Sequence, residues 1–391
     1  GNVSELGLEK WSTIDQEIWD AIRSLAKGKT KSLERRKKRE HQKEALKKVK
    51  DYFSKAENTR GKIIMPCGSG KSLVGFWAAE TLDAKSVLIA VPSLHLIGQT
   101  IKDWAREFLA KGEIPDWLVV CDNEKIAELN KDEFVGEVYE LGIDPITKIE
   151  NIKKFISKNS NKKKIIFSTY QSCKNVVEAV SSVGFEFDLT ICDEAHKTVG
   201  FRKKPFAALV SDKKFKSKHR IFMTATERVP TVKDDEILSM DDVDDYGDMI
   251  YFLSHKKAIE ADEPIICDYK IVTIEISEAR IKKLMEENEY LFEKGGEFEK
   301  AEAKDVGSCL AMIDLFGKHS CKKGISFHSR IKRSKDFKKL SEKISELVGY
   351  EIDHYTVSSE LPPGKRQSIL TDFEQSNKAL ITNARCLTEG V

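Results

Sequence analysis

No stretch of about eighteen apolar residues runs through this chain and no charged-then-apolar leader opens it, so neither a membrane span nor a secretion signal is expected. The eight cysteines never take CxxC spacing, which removes the usual marks of a zinc ribbon or a thiol-redox pair. Several, Cys192 among them, sit inside apolar strand patterns where they behave as small hydrophobes, and cytoplasmic thiols are the expectation. Cys309, His319, Cys321 and His328 fit no familiar ligand spacing, so no structural metal is expected. Charge of one sign is missing too. With 66 Lys and Arg against 64 Asp and Glu, the net charge of +2 gives no overall pull on a polyanion. No internal repeat is visible, and the first residue is Gly1 rather than methionine, as expected of a tag scar or a piece cut from something longer.

What is present is chain enough for two or three domains, 391 residues of which 40% are hydrophobic. One segment is dense in chemistry. Met65-Pro66-Cys67-Gly68-Ser69-Gly70-Lys71-Ser72 lies between the apolar stretch Lys62 to Met65 and a helical pattern from Leu73, and reads as strand, phosphate loop and helix. Glycines let backbone N–H groups turn toward phosphates, and the helix N-terminus adds partial positive charge. Lys71 then neutralises the β/γ-phosphates and the Ser72 hydroxyl ligates Mg²⁺. Met65 stands where the general GxxxxGK[S/T] pattern asks for glycine, a gap that Gly68 and Gly70 partly fill. The plain alternative is a glycine turn with a solvated lysine.

A second segment weighs against that alternative. Phe187 to Cys192 reads as a buried strand that delivers Asp193-Glu194-Ala195-His196 at its carboxyl end, where open α/β sheets gather ligand-binding residues. Asp193 is placed to hold the Mg²⁺ and Glu194 to orient and deprotonate an attacking water. A capped helix start is the competing reading.

Together, Gly68 to Ser72 and Asp193 to His196 resemble motifs I and II of superfamily 2 helicases of the DEAH-box kind, in which alanine or methionine commonly opens motif I. Further segments follow in that family's order. Gln42, within His41 to Leu46, resembles the adenine-reading glutamine; Val91-Pro92-Ser93-Leu94 through Gln99 resembles motif Ia; Ser168-Thr169-Tyr170-Gln171-Ser172 resembles the next strand-end motif. Thr224-Ala225-Thr226 is similar to motif III, Ile325 to Arg330 to motif IV, and Ile381 to Val391 to motif V. The flanks Asp193 to Thr198 and Thr224 to Arg228 look most like the translocase part of restriction enzymes of types I, III and ISP. So does the middle stretch, with Asp241-Asp242, Tyr246-Gly247, Leu253-Ser254, Ala258-Ile259 and Asp268-Tyr269-Lys270.

The resemblance implies two RecA-like parallel-sheet domains, an α/β fold, behind a helical N-terminal extension with the second domain incomplete: residues 1–55, 56–265 and 266–391. Its implied sites are Gln42, Gly68, Ser69, Gly70, Lys71 and Ser72 for ATP, and Ser72 with Asp193 for Mg²⁺. Lys71, Asp193, Glu194 and His196 would serve catalysis. Pro92, Ser93, Gln99, Thr169, Tyr170, Gln171, Ser329 and Arg330 would meet nucleic acid, and Thr224, Thr226, Thr382, Glu389 and Gly390 would couple nucleotide state to movement. No QxxGRxxR-like motif VI appears, so the transition-state arginine is missing and weak hydrolysis is expected of this piece.

The residues themselves give a coarser map. A helical stripe of Trp11, Ile14, Ile18, Trp19, Ile22 and Leu25 reads as a packing face. Strands are expected at Lys62–Met65, Ser86–Val91, Trp117–Cys121, Lys164–Thr169, Leu189–Cys192 and Arg220–Thr224, alternating with helices as in a parallel sheet. A second series is expected at Lys270–Ile276, Gly324–His328, Tyr350–Val357 and Ala379–Asn383, interrupted by a charged helical pair from Glu278 to Lys318. The basic run Lys27 to Lys50 suits either phosphate contact or a solvated face, and the acidic run Asp241 to Asp248 suits a solvent-facing loop or a protein neighbour. For function, the resemblance implies an ATP-dependent translocase or helicase, the motor of a restriction or phage-defence enzyme, with double-stranded DNA favoured and nuclease or methyltransferase modules expected beside it. An RNA helicase and a non-catalytic ATP switch stay open.

Overall fold

A computed structural model of the chain describes residues 33–121 and 147–384, apart from 214, 232, 233, 320, 359 and 362. The Trp11 to Leu25 stripe and motif-V residues Glu389 and Gly390 lie outside the described residues. The chain divides into two compact units, with residues up to Asp268 mainly in the first and residues from Tyr269 onward in the second.

The first unit is built on parallel crossovers. It starts with helix α1 (Glu40–Phe53), whose Ala45, Leu46, Val49 and Phe53 bury one stripe. Strand β1 (Arg60–Ile64) follows, then α2 (Lys71–Thr81), β2 (Ser86–Val91), α3 (Leu94–Ala110), β3 (Asp116–Val120), α4 (Ile149–Ser157), β4 (Lys164–Thr169), α5 (Cys173–Val183) and β5 (Phe187–Asp193). After them come the short β6 (Gly200–Phe201), β7 (Ser217–Thr224), β8 (Ile237–Leu238), α6 (Val243–Tyr246), β9 (Asp248–Phe252) and α7 (His255–Ile259). Seven strands form one sheet in the order β3-β4-β2-β5-β7-β1-β9, every pairing parallel. Strands covered on both faces read as continuous apolar runs, and β2 is buried at all six positions.

Three expectations change here. β9 joins the sheet beside β1 although the acidic residues ahead of it hid its pattern. The acidic run is not merely solvated: Asp245 is buried, and both of its oxygens accept from Arg202, at 2.9 and 2.6 Å, while Tyr246 packs in the core. The basic residues ahead of α1 dock on the protein itself, Arg35 on Glu80 at 2.6 Å and Arg36 on Asp103 at 2.6 Å.

The second unit holds α8 (Glu278–Glu287), α9 (Glu289–Phe292), α10 (Ala303–Lys318), β10 (Lys323–Phe327), α11 (Ile331–Leu347), β11 (Asp353–Val357), α12 (Pro363–Gln375) and β12 (Ala379–Asn383). Its three strands form a parallel sheet in the order β10-β12-β11. Val306, Leu310, Ile313, Phe337, Leu340 and Ile344 make its main core between α10 and α11. Lys270–Ile276 is not a strand. Its alternating pattern is right for one, but it pairs with no described strand and Ile271 is 84% exposed. No helix among the described residues is long and apolar enough to cross a membrane.

Candidate nucleotide site

The carboxyl ends of β1, β5 and β7 lie side by side through the sheet order, and three sequence segments meet there because topology brings them together. β1 ends at Ile64, and Met65 N–H still donates to Thr224 O at 3.0 Å, locking the start of the Met65–Ser72 loop to the end of β7. The loop turns through Gly68 and Gly70, at φ +79° and +83°, a region that side chains with a Cβ rarely adopt. At Gly70 space is also short: a Cβ would lie 2.5 Å from Gln42 Nε2. Ser69 Oγ donates to Pro66 O at 2.7 Å and closes the loop on itself.

Lys71 opens α2, is 8% exposed, and rests its Nζ on the carbonyls of Met65 and Pro66 at 3.4 Å each. Its other neighbour is Glu194 Oε1, at 3.9 Å. Ser72 Oγ, one residue on, is buried without a hydrogen-bond partner. A buried hydroxyl in that condition normally has a partner in the working molecule, and an oxygen-seeking cation is one that suits it.

Asp193 ends β5 and is buried. Burial pushes its carboxyl up to about 6, the neighbouring Glu194 charge adds to this, and Lys71 opposes it. Glu194 goes the other way. Burial alone would raise it, but hydrogen bonding with His196 and the positive charge of Lys71 win and hold it below the ordinary glutamate range. Two adjacent carboxyls are thus pushed apart in proton affinity. Glu194 also sits at φ +49°, a left-handed conformation that costs a non-glycine residue on the order of 1 kcal/mol. His196 Nδ1 lies 3.4 Å from Glu194 Oε2 and 3.0 Å from Thr224 Oγ1, and Thr224 Oγ1 bonds Thr226 O at 3.0 Å. Lys71, Glu194, His196, Thr224 and Thr226 therefore form one connected chain of polar contacts.

Gln42 lies beside the loop, Nε2 donating to Ser69 O at 3.4 Å while His41 Nε2 bonds the same carbonyl at 3.0 Å. The expected nucleic-acid residues divide. Gln99, Ser329 and Arg330 are exposed and Ser93 is half-buried, whereas Pro92, Thr169, Tyr170 and Gln171 are buried. Tyr170 in particular is a core residue, its ring 5.6 Å from that of Phe206. In the second unit Thr382 is fully buried, within hydrogen-bond reach of Thr356 Oγ1 at 2.9 Å and Ser334 Oγ at 3.1 Å. One residue went unnoticed in the sequence. Lys62, inside β1, is 6% exposed and bonds Met240 O at 2.7 Å and Glu227 Oε1 at 2.8 Å, fastening the segment after Thr226 to the strand that feeds the phosphate loop. A lysine within an apolar strand was the signal.

Residues 35–229 match the family described as Type III restriction enzyme, res subunit. No curated protein matches the chain in sequence. Among solved structures, the ATP-dependent Type ISP restriction-modification enzyme LlaBIII bound to DNA superposes with a TM-score of 0.74 at 23% identity, over 92% of this chain and 25% of that one. A nuclease-deletion mutant of the Type ISP enzyme LlaGI, in complex with a DNA substrate mimic, gives a TM-score of 0.61 at 22% identity, over 89% of this chain and 25% of that one. The fold is shared with parts of these two restriction-modification enzymes, and the chain spans about a quarter of the length of either.

Proposed function

We propose, on the premise that residues 35–229 form a domain of the Type III restriction enzyme res-subunit family, that this chain is an ATP-dependent translocase motor acting on double-stranded DNA in a restriction or phage-defence enzyme. The observation that carries the reading is the approach of Lys71 Nζ to Glu194 Oε1, 3.9 Å, beside the unpartnered Ser72 Oγ and the buried Asp193. ATP with Mg²⁺ fits these residues: Gly68 to Ser72 would hold the phosphates, and Ser72 with Asp193 the metal. A bound Mg²⁺ supplies charge neutralisation at the phosphate oxygens. Lys71 leaves its two carbonyls for the phosphates. Glu194, kept ionised by His196 and Lys71, takes the proton of the attacking water, and His196 passes the position of Glu194 on to Thr224 and Thr226.

Duplex DNA is proposed because the matched family and both structural relatives are restriction enzymes, and nuclease or methyltransferase modules beside the motor belong to the same reading. Phosphate release measured with duplex DNA, with single-stranded RNA and with neither tests it. Stimulation by duplex is expected. Stimulation by RNA alone would move the assignment to an RNA helicase, and ATP binding without turnover to a nucleotide switch. Contacts to backbone phosphates position rather than read sequence, so duplex affinity should fall steeply with salt.

A further inference from the structure

Tyr170 has no surface to offer a nucleic acid, being 0% exposed. Its contacts run elsewhere. Its N–H donates to Val91 O at 3.0 Å, immediately before Pro92 and Ser93. Its hydroxyl, at the far end of the ring, donates to Asp193 O at 2.7 Å. Since β4, β2 and β5 are neighbours in the sheet, this one residue ties three strand ends together.

The carbonyl that receives the hydroxyl belongs to the peptide joining Asp193 to Glu194. The N–H of that same peptide donates to Asp193 Oδ1 at 3.0 Å, so the rigid amide plane is held at both edges. Its tilt fixes where Glu194 starts, and therefore where a left-handed residue at φ +49° aims its carboxylate between Lys71 and His196. On the other side of Tyr170, Thr169 is 0% and Gln171 8% exposed, and their Oγ1 and Oε1 are buried with no hydrogen-bond partner. The turn that carries Tyr170 is therefore as buried as the ring itself, and what it acts on is the protein.

We propose that Tyr170 is a positioning residue, whose hydroxyl holds the Asp193–Glu194 peptide and so sets the aim of Glu194. The inference rests on the nucleotide-site reading above. It converts an expected surface contact into a buried prop, through one hydroxyl, for the base that activates water.

Tyr170→Phe removes only that hydroxyl and keeps the ring against Phe206. At saturating ATP and a blunt DNA duplex, kcat should fall at least about tenfold, while KM for ATP and Kd for the duplex stay within about twofold, because the defect is aim rather than binding. A raised duplex Kd with kcat at saturation intact would instead mark a direct contact and overturn the proposal, as would wild-type values throughout. Hydrogen exchange separates this from a folding defect: protection of the Glu194 amide should fall in Tyr170→Phe while the amides of β5 keep theirs, and an unchanged Glu194 amide also overturns the proposal. A wild-type protein that binds no ATP overturns the nucleotide-site reading and this proposal with it, and one that binds ATP without turning it over overturns this proposal. Intact turnover with an indifferent Phe variant overturns this proposal alone.

Discussion

Asp212 is the residue whose removal should hurt most for its appearance. Its side chain is 66% exposed, and an exposed aspartate ordinarily costs within about 0.5 kcal/mol to replace. Yet it is the carboxylate for two guanidiniums. Arg220, 0% exposed, donates to it and to Phe215 O at 2.5 Å, and Arg60, 9% exposed, donates to it and to Val210 O and Asp245 O at 2.9 and 3.0 Å. Arg60 and Arg220 stand opposite one another in the register of β1 and β7, so their charges are adjacent as well as buried. Burial already pulls the Arg220 proton affinity down, with Asp212 opposing and Arg60 adding to the pull. Asp212→Ala leaves both cations without their carboxylate. Stripping one partner from a buried pair costs about 3–5 kcal/mol, and screening at the exposed carboxylate favours the low end, about 3 kcal/mol. In a unit of this size that is roughly 6–12 °C in Tm. Urea and thermal melts of Asp212→Ala, Arg220→Met and the double variant measure it. Arg220→Met should be mild because Arg60 keeps its carboxylate, and the double variant should recover at least about 1.5 kcal/mol of the loss, the sign of a directly coupled pair. A melt for Asp212→Ala within about 0.5 kcal/mol of wild type, or strict additivity in the double, would refute the reasoning.

Other outcomes follow from the same geometry. Lys71→Ala should lower ATP turnover at least about a hundredfold in a phosphate-release assay, and retained turnover would remove the loop from the mechanism. Asp193→Asn should stabilise the nucleotide-free protein in EDTA as pH rises. The folded-state carboxyl is raised to about 6, so the wild type is fully stable with respect to this group below about pH 4 and loses that contribution as pH climbs through 6. The Asn variant should gain on the order of 3 kcal/mol above that range and nothing below it, so a gain independent of pH would contradict the burial argument. Gly247→Ala would set a Cβ 2.0 Å from Arg60 O at φ +72°, and should destabilise by more than about 3 kcal/mol in denaturant titration; a neutral variant would show the β9 edge to be loosely held.

How much of this was legible in the sequence depends on whether the signal was local. The places of the glycine loop after β1 and of the acid pair at the end of β5 were, because each is a run of adjacent residues at a strand end, and the central strands were, because double-sided burial writes itself as unbroken apolar runs such as Ser86–Val91. What escaped depends on partners distant in sequence. β9 is an edge strand with exposed Asp248 and Met249, so its membership of the sheet is decided by Arg60–Ile64 rather than by its own pattern. The segment Lys270–Ile276 failed in the opposite direction, having the alternation of a strand but no pairing among the described residues. Asp245 looked like part of a solvated acidic run because nothing nearby in sequence announces Arg202 as its partner. Tyr170 is the instructive case. Its neighbours identify the turn that carries it, but whether a tyrosine at a strand end faces solvent or reaches past β2 to a carbonyl at the end of β5 is settled only by the order β4-β2-β5, and that order is a property of the whole sheet. A motif can therefore mark a strand end and still misplace a side chain on it, because burial of that side chain is decided by strands far away in sequence.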